Sequence, residues 1–122
     1  MTTDLYQEQL LEEARAPKNQ GKISDADVLA VAFNASCGDK VEMSLKLDED
    51  KTHIIDVKWN GAGCIISQAG LSVLSQRLKG MPVADVKNLN LPDLLNWLGL
   101  SEISPGRIKC ALLGVSALKQ AL

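Results

Sequence analysis

The chain has 122 residues, 46% hydrophobic and 23% charged, which suffices for one domain with its own core and is too short for two of ordinary size. A net charge of -2, a pI near 5.3 and 13 Lys and Arg spread along the chain supply no positive field for a phosphate backbone, which argues against nucleic-acid binding. No apolar run approaches the roughly 18 residues of a membrane span, and Met1-Thr2-Thr3-Asp4 lacks the basic-then-apolar order of a secretory signal, so a cytoplasmic protein without membrane contact is expected.

Asp4 with Gln7 reads as a helix cap, and Tyr6, Leu10, Leu11 and Ala14 then recur at helical spacing, which predicts a helix over about 4–15. Pro17, Asn19 and Gly21 end it. The apolar run Val28-Leu29-Ala30-Val31-Ala32-Phe33 has strand length, with helix as the competing reading. Val41, Met43, Leu45 and Leu47 alternate with polar residues, giving the clearest strand. After the charged turn Asp48-Glu49-Asp50-Lys51, Ile55, Val57 and Trp59 alternate with Asp56, Lys58 and Asn60, so a three-stranded antiparallel sheet is expected. From Cys64 the period turns helical, with Leu71, Leu74 and Leu78 on one stripe of a helix over 64–79. Short helical pieces follow around 83–89 and 92–98, with Trp97 read as filling a core gap. Ser104 and Pro105 read as N-cap and first position of a final helix whose stripe is Ile108, Ala111, Leu112, Val115, Leu118 and Leu122. The order of elements makes the fold α+β, as a single domain over 1–122.

Three cysteines, Cys37, Cys64 and Cys110, carry most of the available chemistry. An odd count outside a secreted context argues against a disulfide framework, and no Cys-x-x-Cys pair suggests a zinc ribbon or thioredoxin-type redox chemistry. Cys64, behind Gly61-Ala62-Gly63 at a helix start, sits where amides and dipole favour a thiolate; the alternative is a small buried hydrophobe at a turn. Gly61-Ala62-Gly63 itself lacks the remaining residues of a phosphate loop and reads as a turn. Cys37 and Asp39 stand two apart, although Gly38-Asp39 is also ordinary turn chemistry. Cys110 falls off the apolar stripe, on the side of Leu113 and Ala117, where its thiol need not be buried, and Arg107 and Lys109 flank it. Three thiolates and a carboxylate would make a four-ligand set for zinc or for an iron-sulfur cluster. The lone histidine, His53, reads as an exposed strand residue.

Taken together, Leu5-Tyr6-Gln7 with Pro17-Lys18-Asn19-Gln20-Gly21, Asn34 to Asp39, Gly61 to Ser67, and Arg107-Ile108-Lys109-Cys110-Ala111-Leu112 resemble ordered motifs of the iron-sulfur cluster assembly scaffold family of IscU, SufU and the NifU N-terminal domain. The resemblance covers nearly the whole chain. It implies a site of Cys37, Asp39, Cys64 and Cys110 that binds zinc, a [2Fe-2S] cluster, or both. It also implies a cysteine desulfurase of SufS or IscS kind as sulfur donor, an iron donor or frataxin-like protein, and downstream carriers or apo-proteins. Cys37 is the first candidate for persulfide acceptor and Cys110 the alternative. Lys109 stands where IscU-type members have His, as in SufU-like members, while the extra stretch those members carry between their second and third cysteines is missing. A cluster scaffold is the leading expectation. A zinc-dependent sulfurtransferase that activates a desulfurase is the alternative, and a binding module with core cysteines the third.

Overall fold

The computed structural model describes residues 11–34, 38–99 and 105–122, the last stretch without the side chains of 105–107 and 110. The expected caps Asp4 and Ser104, and Cys37, lie outside the described residues. The described chain opens in a helix, α1 (11–15). It continues as an extended strap whose Asn19 and Gly21 exchange backbone hydrogen bonds with Trp59. A three-stranded antiparallel meander follows, in the order β1 (Val28–Asn34), β2 (Asp39–Leu47) and β3 (Ile54–Ala62). Then come α2 (Ile65–Leu78), α3 (Val83–Val86), α4 (Leu91–Leu98) and α5 (Pro105–Ala121).

The apolar run at 28–33 is a strand. Its small residues Ala30 and Ala32 face inward, where α5 packs close, and Leu29, Val31 and Phe33 stay half or more exposed on the other face. On β2 the alternation holds, with Val41, Met43 and Leu45 fully buried. β3 departs from expectation at its start. An irregularity opposite Lys46 and Leu47 turns Ile54 inward and leaves Ile55 outside at 55% exposure, while Val57 and Trp59 remain core residues.

Helices α2 and α5 cover the inner face of the sheet and pack on each other. Their crossing is close, since a Cβ on Gly114 would lie 2.8 Å from the Leu71 Cδ2 and 3.0 Å from the Leu74 Cδ2. Pressed by sheet on one side and α2 on another, α5 buries Leu113 and Ala117 as well as Ala111, Val115 and Leu118. The row of Leu113 and Ala117 is therefore packed, contrary to the single-stripe expectation. Trp97 also departs from it. It lies half-buried at the edge of the core, with the Arg77 guanidinium 5.6 Å from its ring centroid, and the core tryptophan is Trp59. α4 starts with a capping box between Asn90 and Asp93 and ends at Gly99, which takes a φ of 74°. Among the described residues no helix is long and apolar enough to cross a membrane.

Candidate functional site

Asp39 is the first residue of β2, paired with Asn34 across the β1–β2 hairpin. The hairpin closes through the Gly38 N–H, which donates to the Asn34 carbonyl at 2.8 Å with Gly38 at a φ of 70°. Gly38-Asp39 is ordinary turn chemistry by sequence, yet Asp39 is only 1% exposed. A carboxylate removed from water to that degree needs hydrogen-bond partners in place of the water it has lost.

The partner comes from a segment 25 residues later. Strand β3 runs through Gly61 and Ala62, and Gly63 then carries the chain over Asp39 into α2, with Cys64 as N-cap. Gly61-Ala62-Gly63 is thus a strand end and crossover rather than a free turn. Both glycines are required by close approach. A Cβ on Gly61 would sit 2.7 Å from the Lys40 carbonyl oxygen, and one on Gly63 would sit 2.3 Å from both the Asp39 Oδ1 and the Ser67 Oγ. Through that opening the Cys64 N–H donates to the Asp39 Oδ1 at 3.2 Å. The Asp39 Oδ2 is buried too and has no hydrogen-bond partner among the described residues.

Asp39 and Cys64 are therefore neighbours at one end of the sheet, with Cys64 half-buried at the start of a 14-residue helix. Cys110 lies on α5, one residue before Ala111, whose carbonyl faces Gly70 of α2. Among the described residues no three His, Cys, Asp or Glu side chains form a metal-binding cluster; Cys37 and the Cys110 side chain lie outside them. His53 sits, as expected, exposed at the opposite hairpin, 3.5 Å from the Asp48 carboxylate. A cavity of about 550 Å³ is lined by Glu12, Glu13, Lys18 and Trp97 among others, and by neither Asp39 nor Cys64, the two candidate ligands whose side chains are described. Ser67, whose hydroxyl donates to the Cys64 carbonyl at 2.9 Å, belongs to the site and was not singled out from sequence. Its signal is positional, since a hydroxyl three residues after an N-cap reaches back to that cap.

The fold and this corner define an α+β domain of three-stranded meander and covering helices, with a carboxylate set against a cysteine-capped helix. Residues 5–122 match the NifU-like N-terminal domain family, and the chain belongs to it. It is 33% identical to the iron-sulfur cluster assembly scaffold protein IscU of Thermotoga maritima, over 97% of this chain and 92% of that protein. It is 30% identical to the zinc-dependent sulfurtransferase SufU of Bacillus subtilis, over 97% of this chain and 89% of that protein. These alignments run to 133 and 135 positions, so both relatives carry residues that this 122-residue chain lacks. A crystal structure described as a SUF-system scaffold from Fervidobacterium islandicum superposes with a TM-score of 0.75 at 29% identity, covering 93% of each chain. The N-terminal part of a NifU-like protein from Brucella abortus has the same fold, with a TM-score of 0.78 at 20% identity.

Proposed function

We propose that this chain, as a single domain, is a cytoplasmic iron-sulfur cluster assembly scaffold that accepts sulfur at a site formed by Cys37, Asp39, Cys64 and Cys110. The observation that carries the reading is the Asp39 carboxylate, buried beside the Cys64 N-cap with Oδ1 bonded and Oδ2 unpartnered. A buried anion left half-satisfied fits a cation, and thiolates with a carboxylate are a donor set for zinc or cluster iron. Zinc, where bound, would hold the thiolates deprotonated and the ligand segments together.

Cys37 is the preferred acceptor and Cys110 the alternative. The acceptor thiolate attacks the terminal sulfur of a persulfide on a cysteine desulfurase. One S–S bond forms on this chain as the donor's breaks, the donor cysteine leaves as thiolate, and no net oxidation occurs. Iron arrives as substrate from an iron donor or frataxin-like protein, and the finished cluster passes to carriers or apo-proteins. Asp39 and Cys64 serve as fixed ligands here, held by the sheet end and α2.

A second reading, a zinc-dependent sulfurtransferase that activates the desulfurase and holds no cluster, draws on Lys109 before the third cysteine and on the likeness to the Bacillus subtilis SufU. Metal and acid-labile sulfide content decides between them, measured on protein purified without oxygen, before and after incubation with iron, cysteine and a desulfurase. Iron and sulfide near one to one, lost in Asp39→Ala or Cys64→Ser, is the scaffold outcome. Stoichiometric zinc that persists without sulfide is the sulfurtransferase outcome, and no metal in either sample refutes both. Radiolabelled sulfur on Cys37→Ser and Cys110→Ser identifies the acceptor, and equal loss in both would sink a single-acceptor scheme.

A further inference from the structure

Ser67 is the third residue of α2 and 2% exposed. Its hydroxyl donates to the Cys64 carbonyl, which already accepts the Gln68 N–H at 3.0 Å. At the other end of the same residue, the Cys64 N–H donates to the Asp39 Oδ1. Cys64 is thus gripped on its carbonyl side by a hydroxyl and on its amide side by a carboxylate. Those two groups face each other, for the place a Gly63 Cβ would occupy lies 2.3 Å from each. The Cys64 carbonyl does not depend on Ser67, because the Gln68 N–H stays on it. A hydroxyl carries one rotatable proton, and the carboxylate that borders the same gap is a stronger acceptor than a carbonyl.

We propose that Ser67 is a positioning residue for Asp39, an inference that rests on the metal site proposed above. When Asp39 takes up a metal, the Ser67 hydroxyl turns from the Cys64 carbonyl across the gap left by Gly63 and donates to Asp39 Oδ1. That donation leaves Oδ2 for the metal and locks the carboxylate to the helix that carries Cys64. Outer hydrogen bonds of this kind orient ligating carboxylates.

The test uses the intact chain as wild type, Ser67→Ala, Ser72→Ala and Cys64→Ser. Zinc affinity is read by competition with a chromophoric chelator, and the ligand field by the visible spectrum of the Co²⁺-substituted protein. Ser72 is the control: it is equally buried on α2 but bonds Glu13 and the Lys18 N–H, two turns from the site's end of the helix. Ser67→Ala should lose roughly 10–100-fold in zinc affinity and shift the Co²⁺ bands, while Ser72→Ala lowers the melting temperature and changes neither. Ser67→Ala with wild-type affinity and spectrum overturns the proposal, and so do equal losses in both serine variants, which would mean general loosening. Zinc binding that is absent in wild type, or unchanged in Cys64→Ser, instead refutes the metal site itself and removes the inference with it.

Discussion

Replacing Gly63 with alanine puts one methyl group where the site has no room. The added Cβ would stand 2.3 Å from the Asp39 Oδ1, 2.3 Å from the Ser67 Oγ and 2.9 Å from the Asp39 Cγ. Ordinary nonbonded contact begins near ~3.5 Å, so each oxygen must retreat by about 1 Å. Neither has free space, since Asp39 is 1% and Ser67 2% exposed. The contact that yields is the 3.2 Å hydrogen bond from the Cys64 N–H to Asp39. Losing a hydrogen bond to a charged group costs about 1.5–3 kcal/mol. Gly63 does not need a left-handed backbone, so alanine returns about 0.4–1 kcal/mol by restricting the unfolded chain. The net loss is about 1–2 kcal/mol, or roughly 3–8 °C in melting temperature for a domain of this size.

Gly70→Ala supplies the matched control. It lies inside α2, where among the described residues a Cβ would meet only the Ala111 carbonyl oxygen at 3.8 Å, so it should gain about 0.5–1 kcal/mol. Thermal unfolding of the metal-free proteins by circular dichroism, with zinc titration, reads both effects. The two variants should move the melting temperature in opposite directions, and only Gly63→Ala should lose zinc affinity, by tenfold or more. If both raise the melting temperature and both bind zinc as wild type does, the cradle of Asp39, Gly63 and Ser67 is not the tight arrangement described.

Two further outcomes follow from the packing and the charges. Gly114→Ala drives a methyl onto Leu71 and Leu74 at the α2–α5 crossing; overpacking of about 1–3 kcal/mol exceeds the helix gain of about 1 kcal/mol, so denaturant unfolding should show a less stable protein, and a more stable one refutes the close crossing. Asp27 is held below the usual carboxylate range by the Leu47 backbone N–H and then by Lys51, and Asp48 by the Thr52 backbone N–H. Because folding lowers both, their stabilisation is complete above about pH 4, the unfolded-chain range, and is lost as pH falls from there through the folded values. Asp27→Asn with Asp48→Asn should flatten the fall in melting temperature below pH 4, and an unchanged acid profile would refute the assignment.

The parts of the fold legible in the sequence are those set by one element's own pattern. Alternation along β2 and the Leu71, Leu74 and Leu78 stripe needed no partner to be read. β1 was ambiguous because every residue from Val28 to Phe33 is apolar, and only α5 above Ala30 and Ala32 decides which face is buried. Ile55 was misplaced because a register irregularity reverses alternation without any mark in the residues themselves. Leu113 and Ala117 lie off the expected stripe of α5 and are nevertheless buried, because a helix packed on both a sheet and another helix has no single stripe. Asp39 is the most instructive case: Gly-Asp is turn chemistry locally, and its burial comes from Gly63 and Cys64 crossing over it. The motif resemblance implies a shared site for Asp39 and Cys64, whose contact in the structure is a hydrogen bond from the Cys64 backbone, while the contact of Ser67 is one that spacing does not reveal.

Asp39 links the fold to the site through its two oxygens. Oδ1 accepts the backbone N–H of Cys64, the N-cap residue of α2, and so contributes to the metal-free structure, while Oδ2 has no partner among the described residues. The core of Met43, Leu45, Val57, Trp59, Leu74 and Leu118 is complete without either. Removing a metal should then leave the sheet and helices standing, because the cap and the core remain. Removing the carboxylate should weaken both, because one side chain serves the helix start and the proposed ligand set. A site built this way can gain and lose its cargo without refolding the domain that holds it, which is what the proposed transfer chemistry requires.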